Sequence, residues 1–366
     1  MDCKILLCVF CLFLATPSVF GGKVEEKLTK QITREFTVSP DDMLVISNQY
    51  GNINITIGEA NRVLVDIVIT VSSTTQKQAS DIIEKISVDF IQADSLLNVT
   101  TRFDPGSRSL TTLKKNSTGI DIDYQISVPS DIFLDLKNSN GNIFVASTSR
   151  ELSVDLSQGT LELGDVNANL SLALTQAKGR ISQIYNGIIK LSHAILEMED
   201  GSYLTMYLNY SAVTTGTLDQ LKLISSFSKL NAVSIGSLDY QGRHDTLHIE
   251  YANIANAKAS SSTIMLDELG EKSSFEMKHG RLDLNRIQYN FSAVEVNASF
   301  TNVGMGFAPG TSFLLDTKTN YSTIRHNGLK VYSNVEKSNK QILHASRGIG
   351  GGQVTVNLNY GELSIL

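Results

Sequence analysis

Five ionisable residues in the second half of the chain are the best candidates for chemistry. They surround two copies of a repeat, at Ala252 and Gly280, and they are His248, Glu250, Glu276, Lys278 and Arg281. If the two copies lie side by side as strands, Glu250 lies beside Lys278 and His248 beside Glu276. Such a surface patch could bind a ligand or serve as a general acid and base, but cross-strand ion pairs worth about 0.2–1 kcal/mol each would give the same pattern. Both explanations stay open at this point.

Other motifs that could carry chemistry are incomplete. His244 and His248 are four residues apart, which on a strand separates them by roughly 13 Å and prevents them from sharing a metal ion. The glycine-rich stretch that starts at Arg347 lacks the Lys-Ser/Thr pair of a phosphate loop and precedes no helical pattern. No calcium-loop spacing and no nucleophile elbow occur. The sequence therefore predicts no catalytic residue, no metal site and no cofactor.

The net charge and the N-terminal segment bear on the partners and the location of the protein. The formal net charge of -6 argues against nucleic-acid binding, which needs a basic face. Residues 1–22 have the short charged start, apolar run and small residues of a secretory signal peptide. All three cysteines lie in this segment, so the secreted chain is expected to have no disulfide. No later segment is apolar enough to span a bilayer, and the expected location is extracytoplasmic.

The elements that must position these residues are strands. Apolar and polar residues alternate along most of the chain, which is typical of half-buried strands. A helical period occurs once, near residues 73–87, with Ser73 or Thr74 as the expected N-cap. We therefore predict a strand-rich N-terminal cap over residues 23–130, with this helix covering it, and repeats over residues 131–366.

A small residue followed two places later by an aliphatic one recurs along the chain. Copies fall at Gly51, Gly141, Gly159, Gly179, Ala194, Ser211, Ser228, Ala252, Gly280, Thr301, Ser322 and Gly361. The position five residues earlier is apolar in every copy except that of Ser322, where it is Thr317. An aromatic residue often stands immediately before the small one. His193 and His279 occupy that aromatic position, so we expect them to stack in a core ladder and not to bind metal.

The phase of the apolar residues slips by one at each small residue. Such a slip flips every side chain unless the chain bends there, so each small residue is predicted to be a corner. Glycine suits a corner because it tolerates positive φ, and serine or alanine lets backbones approach closely. A repeat of roughly 20 residues fits one coil of a parallel β-solenoid. An antiparallel sandwich of hairpins is the alternative, and it fits less well because hairpin turn pairs are rare here.

The stretches "NQYGNI", "IDYQISVP" and "NSNGNI" carry a family resemblance. With their surroundings, from Ile32 to the C-terminus, they resemble the putative adhesin family of secreted β-solenoid envelope proteins of the Bacteroidetes type, a domain of unknown function. The resemblance implies a cell-envelope location and an adhesive or structural role, and it offers no catalytic residues to transfer.

The expected function is thus a non-enzymatic, adhesin-like envelope protein that binds glycans or other envelope proteins. A polysaccharide-active enzyme on the same scaffold is the alternative, with the patch around His248 and Glu276 as its site. The last coil, after Leu363, is predicted to be an uncovered edge through which the protein self-associates.

Overall fold

The computed structural model describes residues 26–104 and 119–366. The predicted leader at residues 1–22 lies outside the described residues. The chain forms two compact units, one ending at Ile181 and one starting at Ser182.

The strands and the helix of the first unit are β1 (Glu26–Thr37), β2 (Met43–Asn48), β3 (Ile53–Ile57), β4 (Arg62–Ser73), α1 (Gln76–Ile83), β5 (Ile86–Ala93), β6 (Leu96–Phe103), β7 (Gly119–Val128), β8 (Phe133–Asn138), β9 (Ile143–Val145), β10 (Leu152–Ser157), β11 (Thr160–Leu163), β12 (Val166–Thr175) and the start of β13 (Lys178–Ser192).

The strands of the second unit after β13 are β14 (Ile195–Asn209), β15 (Ala212–Ser226), β16 (Lys229–Arg243), β17 (Thr246–Ser260), β18 (Thr263–Ile287), β19 (Ala293–Phe307), β20 (Phe313–His326), β21 (Lys330–Lys337), β22 (Lys340–Arg347) and β23 (Gly352–Ile365).

Successive coils pair in parallel, as expected for a β-solenoid. In the second unit β14 pairs with β15, β15 with β16, and so on to β19, with like positions in register. In the first unit β8, β10 and β12 stack in the same way, as do β3, β9 and β11. The prediction of an all-β parallel solenoid is confirmed, and the antiparallel sandwich is excluded as the main architecture.

Each coil closes around an apolar interior. In β16 the residues Leu230, Ala232, Ile235, Leu238 and Tyr240 are all buried. Buried residues alternate at both ends of the strand, but in its middle they are three residues apart. The pairing of β15 with β16 also skips Val233 and Gly236, although the register is the same on both sides of these residues. The coil therefore bends in its middle, which keeps apolar side chains pointing inward on both sides of the bend.

The N-terminal part of the first unit contains an antiparallel cap. Strand β1 pairs with β4, β4 pairs with β7, and β7 joins β3 in parallel. Helix α1, within the predicted segment, packs on β1 and β4 and buries Ala79. Its N-cap is Thr75 and not Ser73 or Thr74 as expected, and the Thr75 hydroxyl accepts a hydrogen bond from the backbone N–H of Gln78.

Corners of the second unit form one column of stacked residues. By strand register the column consists of Ala194, Ser211, Ser228, Asp245, Ser262, Gly280, Thr301, Gly361 and Ser322. Positive φ falls one residue before the corner, for example at Tyr210 (50°) and Phe227 (52°). The expectation that the corner residue itself adopts positive φ is thus wrong for these coils, although it holds for Gly51 and Gly141.

Serine is favoured at the corner because its hydroxyl links two coils. The Ser211 hydroxyl donates to the carbonyl of Asn209 and accepts from the N–H of Ala194. Ser228 repeats both bonds one coil further on, to Ser226 and Ser211. Each corner thereby pairs backbone groups that the bend removes from the strand ladder.

Glycine is required at some corners because the coils touch there. A Cβ on Gly159 would lie 1.8 Å from the carbonyl oxygen of Gly141, and one on Gly280 would lie 2.2 Å from that of Ser262. Gly179 was predicted to be a corner, but it pairs with Leu161. The corner stacked beside Gly159 is Ala177, because residue 176 carries the positive φ.

Ala252 likewise does not belong to the corner column and lies instead at the bend in the middle of its coil. It pairs with Ile235 in the preceding coil and with Leu269 in the next, and it is buried in the middle of β17. The corners of these coils are Asp245 and Ser262. Asp245 was not among the predicted corners because it is not a small residue, but its carboxylate takes the place of the serine hydroxyl.

The C-terminal strand does not form the end of the stack. Strand β23 lies between β19 and β20, and Leu363 pairs with Val303 on one side and with Ile324 on the other. The predicted uncovered edge after Leu363 is therefore wrong. Between β20 and β23 the chain forms an antiparallel hairpin of β21 and β22, which pairs with β20.

Candidate binding surface

A row of stacked rings follows the outer side of the corner column. We call it the ring ladder, and its members are His193, Tyr210, Phe227 and His244 in one segment and His279, Phe300, Tyr360 and Tyr321 in the other. Neighbouring ring centroids are 4.6–5.1 Å apart and the ring planes lie within 15° of parallel. The spacing matches that of hydrogen-bonded strands.

These rings are exposed, contrary to the sequence expectation of a core ladder. Tyr210 is 52% exposed and Phe227 is 43% exposed. His193 and His279 do stack, as predicted, but on the surface. The left-handed backbone conformation at each ring residue breaks the strand alternation, so the side chain turns outward although the residues two and four places earlier face inward.

The ladder is interrupted at Ser261. Strand register places this residue between His244 and His279, and its φ of 53° is that of the ring positions. The N–H of His244 donates to the carbonyl of Ser260, and the N–H of Ser261 donates to that of Lys278. The backbone of the ladder therefore continues through the interruption, and only a ring side chain is lacking there.

Polar residues flank the ladder. The residue before each ring is usually serine or asparagine, and the Ser226 hydroxyl donates to the Asn209 side chain at 3.0 Å. Beside the interruption the row changes to Arg243 and Lys278, which are exposed. In residues 26–104 and 119–366 neither of these two cations forms an ion pair.

A buried carboxylate supports the ladder from inside. Asp245 is 3% exposed and accepts three hydrogen bonds of 2.8 Å, from the N–H of Ser228 and the hydroxyls of Ser225 and Tyr240. Its own N–H donates to the Ser262 hydroxyl. Burial raises the pKa of the Tyr240 phenol well above its ordinary value, and the negative charge of Asp245 is a smaller cause of the same rise. Asp245 thus fixes the coil that carries His244.

The predicted patch is not one site. Glu276 pairs in register with Lys258 and forms a 3.1 Å ion pair with it, and Lys278 lies beside Ser260. Both residues precede a corner, whereas His248 and Glu250 follow one. Glu250 and Lys278, and likewise His248 and Glu276, are not neighbours because the number of residues from Ala252 to Gly280 is larger than the length of one coil.

Two other patch members, His248 and Arg281, have separate partners. His248 Nε2 lies 2.9 Å from Asp267 Oδ2, and the Asn285 amide donates to the other oxygen of that carboxylate. Arg281 pairs with Asp283, which raises the pKa of the Arg281 guanidinium. These contacts are mostly exposed pairs between neighbouring coils or within one strand, and each contributes little to stability.

The described ranges contain neither a metal-binding cluster nor a membrane-spanning helix. Within the described ranges no group of three or more His, Cys, Asp or Glu side chains is arranged to hold a metal ion. In the same ranges no helix has the length and apolar character needed to cross a bilayer. The glycine-rich stretch after Arg347 is a turn between β22 and β23.

Several solved structures align with this chain at low sequence identity. A putative cell adhesion protein from Clostridium sporogenes ATCC 15579 is 11% identical, with 92% of this chain and 99% of that chain covered and a TM-score of 0.18. A putative lipid binding protein from Parabacteroides distasonis ATCC 8503 is 11% identical, with 68% and 94% covered and a TM-score of 0.32. A putative adhesin from the same organism is 10% identical, with 75% and 97% covered and a TM-score of 0.35.

No family model matches the chain, and no curated protein matches it. The names of two of these structures agree with the putative adhesin resemblance noted from the sequence. With TM-scores below 0.5, none of them bears on what this chain binds.

Proposed function

We propose that the protein is a non-enzymatic, adhesin-like binding protein of the cell envelope that holds an extended glycan along the ring ladder. The observation that carries the proposal is the exposed ladder itself, with rings repeated at the coil spacing and serine and asparagine beside them. Aromatic rings offer apolar contact area, and hydroxyl and amide groups supply the hydrogen bonds that a sugar needs.

The regular backbone favours binding of a polymer. Corner hydrogen bonds hold each ring position in the same conformation, so little freedom is lost when a ligand binds. A chain-like ligand can touch several coils at once, and its weak individual contacts then add up. The predicted signal peptide at residues 1–22 supports an extracytoplasmic location, where such polymers occur.

The test is retention of purified envelope polysaccharides by the secreted chain. We expect the Tyr210→Ala/Phe227→Ala variant to lose at least about tenfold in affinity, because two stacked rings and their contact area disappear. Phe144→Ala is the matched control, since Phe144 is 41% exposed but belongs to no ring stack in the described residues. Equal retention by both variants contradicts the proposal, and retention of envelope proteins alone assigns the surface to a protein partner.

A polysaccharide-active enzyme is the second candidate. It is favoured by the contact of His248 with Asp267, because a histidine oriented by a carboxylate can transfer protons. The separation of Glu276 from His248 weighs against it. Release of reducing ends by the wild-type chain, abolished in His248→Ala and kept in Phe144→Ala, would replace binding with catalysis as the function.

A further inference from the structure

We propose that the interruption of the ring ladder at Ser261 is a binding slot for one flat aromatic ring that carries a carboxylate. This inference rests on the proposed function in one respect, which is that the ladder is a binding surface. It adds a second class of ligand group, an aromatic carboxylate, at one position of that surface.

The slot has the width of one ring. His244 and His279 lie two coils apart, so their rings are separated by roughly 9.6 Å, twice the strand spacing of about 4.8 Å. Rings within the ladder stack at 4.6 Å for Phe227 and His244 and at 4.8 Å for His279 and Phe300. A flat ring centred in the slot would stack on both histidines at the same distance, whereas a puckered saturated ring is too thick.

Each histidine already uses one ring face and has the other turned to the slot. His244 stacks on Phe227 and His279 stacks on Phe300, each on the side away from Ser261. The serine side chain is too small to reach both faces. Ser261 and the two histidines are all exposed, so a ligand can enter from solvent.

The charge beside the slot is positive. Arg243 and Lys278 directly precede the two histidines, and their side chains are not engaged by carboxylates in the described part of the chain. Two acidic residues close in sequence to these cations are occupied, because Asp245 is buried in its hydrogen-bond network and Glu276 pairs with Lys258. An anionic substituent on the ring would lie between two cations and bind them by charge-assisted hydrogen bonds.

The experiment is an NMR titration of the full secreted chain with benzoate, observing the imidazole carbon-bound protons of His244 and His279. We expect both signals to shift together, because a ring between them changes the ring current at both. Ser261→Ala should retain this response. Ser261→Phe should weaken benzoate binding by at least about tenfold, because a ring from the chain then occupies the slot.

Ser261→Phe is expected to fold, because Phe227 and Phe300 occupy the same backbone conformation in other coils. Circular dichroism and the urea midpoint check this. The choice of probe tests the proposal without any variant. Cyclohexanecarboxylate has the same charge and a thicker ring, and benzamide has the same ring without charge, so both should bind several-fold more weakly than benzoate.

The cations are tested by the Arg243→Gln/Lys278→Gln variant, which should lower affinity for benzoate and leave that for benzamide unchanged. Absence of a shift at either histidine, or equal binding of benzoate and cyclohexanecarboxylate, overturns the slot. Failure of the slot leaves glycan retention by the Tyr210 and Phe227 rings intact. If the glycan proposal fails, Ser261→Ala should still respond to benzoate and Ser261→Phe should still have lost that response.

Discussion

Replacement of Asp245 by alanine should destabilise the second unit more than any other single carboxylate substitution that we consider. Its side chain is the only acceptor in the described structure that serves the Ser228 N–H and the hydroxyls of Ser225 and Tyr240 together. Alanine would leave three buried donors without this acceptor.

The magnitude follows from those three contacts. A hydrogen bond to a charged group contributes about 1.5–3 kcal/mol, and a buried donor without a partner costs about 1–3 kcal/mol. All three bonds are 2.8 Å long. The bonds share one acceptor group, so their effects are not additive. We expect Asp245→Ala to lower the free energy of unfolding by about 3–6 kcal/mol.

The assay is urea unfolding followed by circular dichroism, with hydrogen exchange at the corner amides to locate the effect. Asp239→Ala is the matched control, because Asp239 is an exposed carboxylate in the preceding coil, and its removal should change stability by less than about 0.5 kcal/mol. Asp245→Ser should cost less than alanine, because a serine hydroxyl at this corner accepts the Ser228 N–H as it does in the neighbouring coils.

A double-mutant cycle separates the contributions. Tyr240→Phe should be destabilising in the wild-type chain and cost much less in Asp245→Ser, because the phenol then keeps only its long 3.5 Å contact with the Ser262 hydroxyl. The reasoning is refuted if Asp245→Ala costs less than about 1 kcal/mol, or if Tyr240→Phe costs the same in both backgrounds.

Three further predictions concern the glycine corners, the ring ladder and a buried phenol. Gly159→Ala should destabilise the first unit by more than about 3 kcal/mol, since its Cβ would meet a backbone carbonyl oxygen at 1.8 Å, whereas Gly119→Ala, with 3.6 Å of clearance, should be tolerated; similar urea midpoints would contradict this. Phe227→Ala should cost about 1–3 kcal/mol through two lost stacking contacts, and Phe144→Ala, similarly exposed, should cost less; the opposite order in thermal unfolding would exclude a stabilising ladder. Burial raises the pKa of Tyr124 to about 12, so the folded state favours the neutral phenol. The free energy of unfolding should therefore be constant below pH 10 and fall as the pH rises from 10 to 12, and Tyr124→Phe should reduce that fall by about 2–3 kcal/mol. An identical fall in the variant would contradict the reasoning.

Local alternation and the one-residue slip were sufficient to predict coils. The slip at Ser211 and Ser228 required a bend, because strands with opposite phase can face one interior only if the chain turns between them. The helix was predictable in the same way from Ala79 and its period. Such patterns concern neighbours along the chain, and a single sequence contains them directly.

Register between coils was not predictable in the same way. Asp245 and Ser262 were not among the predicted corners and Ala252 was. Yet Ser211, Ser228, Asp245 and Ser262 recur at a constant interval, which is a signal in the sequence that identifies the column. The carboxylate fits there because its oxygens reach the hydroxyl of Tyr240 and the N–H of Ser228, which are contacts between coils. The error in register then placed His248 beside Glu276, which are not neighbours in the structure.

The sequence by itself determined that this protein is a stack of short parallel coils with corners at small residues, since alternation and its slips are local consequences of strand geometry. Only the tertiary structure decided that the rings lie outside, that the ladder is interrupted at Ser261 and that β23 lies between β19 and β20. The physical reason is that the outward turn of a ring depends on a positive φ held by hydrogen bonds from the next coil. The order of the last coils depends on pairing between strands that are far apart in the chain.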